Sequence, residues 1–338
     1  MNLGFGLLSA QRRRGSDDWS DAYTETLELA VEAERLGFSS VWTTEHHFVD
    51  DGYMPSLLVV SAALAALTTS IEIGTGVLLA PLHDPIRLDE DAATVQLLSD
   101  GRLTLGLGIG WNPIEFAGLR TRLDQRGRAM DEILEILPKA WSGEPFQHTG
   151  RVYELPMLGV RPTPRRPIPV VMGGSAEAAV RRAARSADGF FGNRPADTFV
   201  MQVRWAIEEL ERAGRDPAAF RFIHYSAIFP TDAAETGWAE AEEHIRNMEW
   251  KYEDMEASAT RSGPIHVAPP MDRGVLSARK HTDALVGPPD RIVERLLSLR
   301  EQAGVPVEFV ARSYFHTLEY ARQQELMQRV AEEIGPHL

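Results

Sequence analysis

The segment "TTEHHF" (43–48) places Glu45 beside two imidazoles, His46 and His47, directly after the apolar run "SSVW". An imidazole titrates near neutral pH, so it can donate or accept a proton under physiological conditions. Three interpretations follow: metal ligands, acid/base catalysts, or loop residues bonded to the backbone.

Metal binding is the least favoured of the three interpretations. Adjacent residues of an extended strand point to opposite faces, so His46 and His47 cannot easily bind one ion. No HxH or HExxH spacing occurs in the sequence, and there is no cysteine to supply a thiolate. We therefore predict no metal site and favour His46 as an acid/base group, with the loop interpretation as the alternative.

The segment "VVMGGSAEAAVRRAA" is a second candidate for chemistry, because Gly173, Gly174 and Ser175 open a predicted helix. Glycines let backbone N–H groups approach a ligand, and the N-terminus of a helix attracts anions. A phosphate seat is the functional interpretation. The structural alternative is that Ser175 simply caps the helix.

Other strand ends carry residues that suit a pocket. Gly76 and Val77 in "GTGVLL" could let a flat ring lie against the backbone, although tight packing is the commoner reason for such small residues. Arg312, if buried, needs an anionic partner. Further candidates of this kind are Gly110, Trp111, Asn193 and Tyr225.

These groups meet only if the strands that precede them end at one edge. Eight apolar stretches, nearly all followed by an amphipathic helical pattern, predict parallel strands buried on both faces. The stretches are 2–8, 39–43, 71–79, 102–110, 168–174, 188–193, 220–229 and 305–312. We predict one α/β domain over 1–338, a (β/α)₈ TIM barrel with its site at the C-terminal strand ends; an open doubly wound sheet is the alternative.

Two insertions interrupt the predicted repeat. A proline-rich stretch at 142–167 follows the fourth strand unit and reads as a loop or short hairpin. A helical insertion near 232–258 and an aperiodic stretch at 259–289 follow the seventh strand.

Composition excludes several classes of protein. The 338 residues are 43% hydrophobic and 25% charged, which fits a globular chain with a large core. A formal net charge of −14 repels nucleic-acid backbones and anionic membranes. The sequence has no apolar run long enough to span a bilayer and no signal-peptide pattern, so we expect a cytoplasmic protein.

Three segments, "EHHF", "IGTGVLLAPLHDPIRLDEDAATVQLLSDGRLTLGLGIGW" and "PVVMGGSAEAAVRRAARSADGFF", together resemble the bacterial luciferase-like monooxygenase family. The likeness runs in order over essentially the whole chain. It implies a barrel that binds reduced FMN or, in a sister branch, coenzyme F420.

The resemblance implies a role for particular residues. His46 matches the catalytic histidine, Gly76–Val77 matches a non-prolyl cis peptide that supports the cofactor ring, and Gly173–Ser175 matches the cofactor-phosphate loop. The stretch 259–289 matches a mobile lid. Residues expected to line the cofactor or substrate pocket are Gly110, Trp111, Asn193, His47, Phe48, Tyr225 and Arg312.

One departure from the luciferases bears on function. Where they carry a cysteine and a phosphate-binding arginine, this chain has Gly108 and Ile109, so light emission is not expected and amides near Gly174 and Ser175 must hold the phosphate. The expected activity is oxidation of a small organic molecule with O₂, with an NAD(P)H:flavin reductase as a partner and a homodimer as the assembly. Hydride transfer with F420, a non-catalytic flavin-binding barrel and a metal-dependent hydrolase are the alternatives.

Overall fold

The computed structural model describes residues 2–13, 18–257 and 284–338, and parallel strands and helices alternate along them. The strands are β1 (Leu3–Leu8), β2 (Ser40–Thr43), β3 (Glu72–Thr75), β4 (Leu78–Leu79), β5 (Leu103–Gly108), β6 (Phe146–Thr149), β7 (Glu154–Leu158), β8 (Val170–Gly173), β9 (Gly189–Gly192), β10 (Arg221–Pro230), β11 (Ala284–Gly287) and β12 (Glu308–Arg312).

Helices connect these strands on the outside. They are α1 (Trp19–Arg35), α2 (Leu57–Leu67), α3 (Pro85–Leu98), α4 (Pro113–Gly118), α5 (Arg126–Ser142), α6 (Glu177–Ser186), α7 (Ala196–Arg212), α8 (Ala234–Ala257), α9 (Pro289–Ala303) and α10 (Tyr320–Arg329). None of the helices in the described ranges combines the length and apolarity needed to cross a bilayer.

Eight strands close into a parallel barrel. Their order around the ring is β1, β2, β3, β5, β8, β9, β10 and β12, and β12 pairs with β1 to complete the circle. All six residues of β1 and of β5 are buried, which is the pattern of strands covered on both faces. The (β/α)₈ prediction is confirmed.

Aromatic side chains fill the upper interior of the barrel. The rings of Trp42 and Phe191 stack with centroids 4.6 Å apart, and those of Phe191 and Tyr225 stack at 4.7 Å. Offset ring stacking adds to the stabilisation that burial alone provides. This stack forms a rigid support directly beneath the C-terminal ends of the strands.

A charged cluster closes the opposite, N-terminal end of the barrel. The guanidinium of Arg221 on β10 donates to Glu308 on β12 at 2.6 Å and to Glu72 on β3 at 3.0 Å. It also donates to Thr104 Oγ1 on β5. The guanidinium of Arg221 therefore ties β3, β5, β10 and β12 together at this end of the barrel.

The insertions lie where the sequence predicts them, with one difference. The stretch after α5 contains the antiparallel hairpin β6–β7, and α8 follows β10. Residues 284–287, which the sequence analysis includes in an aperiodic lid, form β11 and pair in parallel with Ala227–Pro230 of β10. Four residues are too few to show a strand period. The remainder of the predicted lid up to residue 283 lies outside the described residues.

Candidate active site

The C-terminal ends of the barrel strands surround a cavity of about 460 Å³, called here the central cavity. His46 and Tyr225 line it, as do all eight residues predicted to bind a cofactor. These eight are Gly76, Val77, Gly110, Trp111, Gly173, Gly174, Ser175 and Asn193. Residues from five different strand ends therefore share one space, although their role in cofactor binding stays a prediction.

His46 is buried and paired with a glutamate that the sequence analysis did not identify. Its Nδ1 lies 2.9 Å from Oε1 of Glu115, a residue with no exposed surface. The same Oε1 accepts the backbone N–H of His47 at 3.0 Å. Since a carboxylate only accepts hydrogen bonds, Nδ1 carries the proton. The other ring nitrogen, Nε2, has no partner among the described residues.

Glu115 reaches His46 because of the short helix α4. Asn112 caps this helix by accepting the N–H of Ile114 at 3.2 Å, and Pro113 occupies its first turn. An asparagine followed by proline is a recognised signal for a helix start. That signal predicts the helix, but not that its glutamate meets a histidine 69 residues away in sequence.

Three aromatic rings surround His46 edge-on. The centroid distances are 4.8 Å to Tyr53, 5.5 Å to Tyr252 and 6.1 Å to Trp111. The hydroxyls of Tyr53 and Tyr252 are 3.2 Å apart and share a hydrogen bond. Burial raises the pKa of Tyr53 well above its ordinary value, so this phenol stays neutral near pH 7. The imidazole of His46 is therefore surrounded mainly by aromatic side chains in the wall of the central cavity.

His47 faces away from the central cavity. Its Nε2 donates to Oε1 of Glu45 at 2.7 Å, and Nε2 of His83 donates to the same oxygen at 3.0 Å. Oε2 of Glu45 accepts the N–H of Leu79 at 2.6 Å. Burial raises the pKa of Glu45, but the hydrogen bonds from the two imidazoles outweigh it and lower the pKa to about 2. These hydrogen bonds of Glu45 hold the loop that follows β2, called here the strand-2 loop, against Leu79 and His83, which follow β3.

The structure corrects two placements. Neither His47 nor Phe48 lines the central cavity, although the sequence analysis assigns both to the substrate pocket. His47 is drawn to Glu45, while the ring of Phe48 lies against Gly118 and is 61% exposed. The chain turns here, with φ of Phe48 at +58°, so the strand alternation that ends at Thr43 no longer sets side-chain directions.

The peptide bond between Gly76 and Val77 is cis, as the resemblance implies. It interrupts the predicted third strand, separating β3 from β4, and puts Val77 on the cavity wall. A Cβ on Gly76 would lie 2.9 Å from the ring of Phe191, so a larger residue would have to displace that ring. The result is a shelf of backbone and one valine between His46 and the Gly173–Ser175 turn.

The Gly173–Ser175 turn adjoins this shelf, because a Cβ on Gly173 would lie 2.8 Å from Cγ1 of Val77. The residue at the N-cap of α6 is Ala176 rather than Ser175, and no side chain caps the helix. A Cβ on Gly174 would lie 2.6 Å from that of Ala179, so the turn packs closely on its own helix. The first N–H groups of α6 therefore remain available to an anion.

Arg126 supplies a cation beside this turn, and sequence reasoning missed it. It begins α5 and lines the central cavity together with Gly174 and Ser175. Its Nη1 donates to the carbonyl oxygen of Leu123 at 2.8 Å, whereas its buried Nε has no partner among the described residues. Nothing in "DQRGR" separates this arginine from the exposed arginines that begin many helices.

A second cavity of about 560 Å³, called here the side cavity, adjoins the first. The two share Asn193, Arg194, Tyr225 and Tyr252, and the side cavity also includes Arg312, the last residue of β12. In the described part of the chain, no group of three or more acidic and histidine side chains is arranged to hold a metal ion.

Comparison with known proteins decides the family. The sequence model of luciferase-like monooxygenases matches residues 1–306. The chain belongs to this family. The resemblance that the three sequence segments indicate is therefore confirmed.

Curated relatives of the chain use two kinds of cofactor. The oxygenase component of a flavin-dependent trigonelline monooxygenase from Acinetobacter baylyi is 31% identical over 144 residues, 42% of this chain and 40% of that protein. An F420-dependent glucose-6-phosphate dehydrogenase from Amycolatopsis mediterranei is 30% identical over 173 residues, 49% of this chain and 52% of that protein. The matched segments thus span about half the length of these relatives.

Solved structures share the fold over nearly the whole chain. Monooxygenase RslO1 from Streptomyces bottropensis superposes with a TM-score of 0.84 at 22% identity, covering 100% of this chain and 99% of that one. The oxygenating constituent of 3,6-diketocamphane monooxygenase from Pseudomonas putida, in complex with FMN, gives 0.78 at 19% identity, covering 99% and 98%. The F420-dependent tetrahydromethanopterin reductase of Methanopyrus kandleri gives 0.77 at 18% identity, also covering 99% and 98%.

Proposed function

We propose that this protein is an oxidoreductase that binds reduced FMN in the central cavity and oxidises a small organic substrate with O₂. One observation carries the proposal. The His46–Glu115 pair, the cis Gly76–Val77 shelf and the anion-accepting turn at Gly173–Ser175 all face one cavity of about 460 Å³.

The residues present fit a phosphorylated cofactor with a flat ring. The uncapped N-terminus of α6 offers N–H donors, and Arg126 adds a buried guanidinium nitrogen that lacks a partner among the described residues. An arginine beside a helix N-terminus is a suitable seat for phosphate. A ring system fits against the part of the cavity wall that is formed by Gly76, Val77, Gly108 and Gly110, where side chains are small.

When bound, the cofactor supplies the electrons for the reaction. The protein then has to manage protons and water. His46 presents Nε2 to the cavity while Glu115 fixes its other nitrogen, so the ring can take up or release a proton at one defined atom. The edge-on rings of Tyr53, Tyr252 and Trp111 surround the imidazole with aromatic surface, which reduces the contact of that ring with water.

Coenzyme F420 is the second candidate cofactor, with hydride transfer in place of oxygen chemistry. The similarity to F420-dependent glucose-6-phosphate dehydrogenase supports it, because that relative is matched over more of this chain than the flavin-dependent one. In that case His46 accepts the proton of a substrate hydroxyl group, or donates a proton to a substrate carbonyl oxygen. The flavin-dependent relative is described as an oxygenase component, which supports a separate reductase as a partner if FMN is used.

A titration of the purified protein with FMN, reduced FMN and F420 tests the proposal. We expect saturable binding of one cofactor at one site per chain. We further expect Arg126→Met to weaken binding about tenfold or more, since it removes a charge-assisted hydrogen bond. Exchange of Arg122, an exposed residue paired with Asp124, for methionine is the matched control. Binding of neither cofactor contradicts the proposed function.

A homodimer stays part of the proposal. Helices α2 and α3 expose apolar side chains on one side of the barrel, with Val59 72%, Leu67 52% and Leu98 56% exposed. Such an apolar surface favours association with a second copy. A molar mass measured by light scattering should equal twice that of the chain, and a strictly monomeric mass would remove the dimer from the account.

A further inference from the structure

The side cavity contains a cation whose charge the described structure does not balance. Arg312 lies at the barrel mouth, with its Cζ 5.7 Å from the ring centre of Tyr252 and its Nη2 3.5 Å from the hydroxyl of that tyrosine. No carboxylate among the described residues lies within ion-pair distance of it. A partly buried guanidinium that contacts tyrosines and pairs with no carboxylate in the described part of the chain is costly to desolvate unless an anion arrives.

Nearby groups do not supply that anion. Glu249 and Glu253 of α8 also line the side cavity, but neither pairs with Arg312. Oε2 of Glu253 instead lies 3.2 Å from Nη2 of Arg246. Burial raises the pKa of Tyr225 to about 12, so this phenol remains neutral at physiological pH. Arg194 lines the same cavity and adds a second positive charge rather than a counter-charge.

The side cavity is close to the reaction centre. The ring of Tyr252 is 5.5 Å from that of His46 on one side and 5.7 Å from the guanidinium of Arg312 on the other. A ligand that touches Arg312 can therefore extend past Tyr252 and Tyr225, which line both cavities, into the central cavity. Its body meets aromatic and aliphatic groups, including Ala227 and Met248.

We propose that the side cavity is the substrate subsite and that it selects an organic carboxylate, whose charged end binds Arg312 and whose apolar body points towards His46. The planar fork of a guanidinium matches two carboxylate oxygens at once, which favours this class over neutral molecules. The inference rests on the proposed function, because it assumes that a cofactor occupies the central cavity. Arg194 assists at the rim as a second, more exposed cation.

Titration of the cofactor-loaded protein with paired probes tests the subsite. Benzoate and hexanoate are compared with benzamide and hexanamide, and binding is followed by the change in cofactor absorbance. We expect each carboxylate to bind at least tenfold more tightly than its amide. Arg312→Met should weaken carboxylate binding roughly 10- to 100-fold and leave amide binding unchanged, with partial recovery in Arg312→Lys.

Controls separate this subsite from the cofactor site. Arg291→Met removes an exposed arginine paired with Glu294 and should change nothing. Cofactor affinity should stay within about twofold of wild type in Arg312→Met. If that variant loses cofactor affinity instead of carboxylate affinity, the arginine serves the cofactor and the proposal is overturned.

The wild-type comparison needs no variant that might misfold. Equal binding of carboxylates and amides, or no binding of any probe to a protein that does bind its cofactor, also overturns the subsite while leaving the proposed function standing. Failure to bind FMN and F420 contradicts the proposed function instead.

Discussion

His46 and His47 are neighbours in sequence, and each forms a hydrogen bond to a buried glutamate. The two pairs differ in which carboxylate oxygens have a hydrogen-bond partner. Glu45 accepts bonds from two imidazoles and a backbone N–H, and both of its oxygens are satisfied. Glu115 accepts from His46 and a backbone N–H through one oxygen only, while its other oxygen is buried without a partner among the described residues.

Under the proposed function, this difference separates a structural pair from a chemical one. The Glu45–His47 pair ties the strand-2 loop to Leu79 and is complete without a ligand. The Glu115–His46 pair fixes Nδ1 of the histidine and leaves Nε2 facing a cavity. Residue type alone does not distinguish the two histidines; the direction of each ring does.

Replacing His46 should give the largest effect. We expect His46→Ala to slow oxidation of the bound reduced cofactor roughly 10²- to 10⁴-fold, because the proton donor or acceptor is removed. Single-turnover absorbance measures this rate. Cofactor affinity and melting temperature should stay close to wild type, and an unchanged rate would show that His46 is not the acid/base group.

Replacing Glu45 should act on stability rather than on chemistry. Glu45→Gln leaves the partly buried imidazoles of His47 and His83 without their anion and should lower the free energy of unfolding by about 3 kcal/mol. Urea denaturation measures the loss. A large drop in turnover by fully folded Glu45→Gln protein would break the distinction between the two pairs.

The same pair makes stability depend on pH. The pKa of Glu45 falls from 4.5 to about 2 on folding, so its contribution is fully present above pH 4.5 and is lost as the pH falls towards 2. The shift corresponds to about 3 kcal/mol. Urea midpoints between pH 6 and pH 2 should fall more steeply for wild type than for Glu45→Gln, and parallel curves would exclude the carboxylate as the cause.

Glu115 should have a smaller effect on rate than His46. Glu115→Gln keeps the shape of the side chain but removes the charge that orients and stabilises the imidazole. We expect the single-turnover rate to fall about 10- to 100-fold with unchanged cofactor affinity. A loss of affinity with an unchanged rate would assign Glu115 to cofactor binding.

His47 should matter least for the reaction. His47→Ala removes one of three hydrogen bonds to Glu45 and should cost about 1.5 kcal/mol of stability. The single-turnover rate should remain within about threefold of wild type. A rate loss as large as that of His46→Ala would mean that the two histidines act together.

Much of the fold follows from local pattern in the sequence. All eight barrel strands show as apolar runs, nearly all of them followed by a helical pattern, and the ends of parallel strands must meet at one face. That rule alone gathers Gly76, Gly174 and Asn193 around one cavity. The sequence does not predict strand β11, because four residues are too few to show a strand periodicity.

The missed parts depend on side-chain directions and on contacts distant in sequence. Glu115 meets His46 across 69 residues, and Arg126 looks like any arginine at a helix start. Phe48 and His47 lie beyond the end of β2, where a turn rather than strand alternation sets their directions. Hydrophobic periodicity contains no information on such contacts.

A crystal structure of the protein soaked with the cofactor that it binds tests the central claim most directly. The account predicts the cofactor phosphate within hydrogen-bond distance of the amides at Gly174–Ala176 and of Arg126, with the ring against Gly76–Val77 and facing Nε2 of His46. A cofactor bound outside the central cavity, or bound there with its ring turned away from His46, would contradict it.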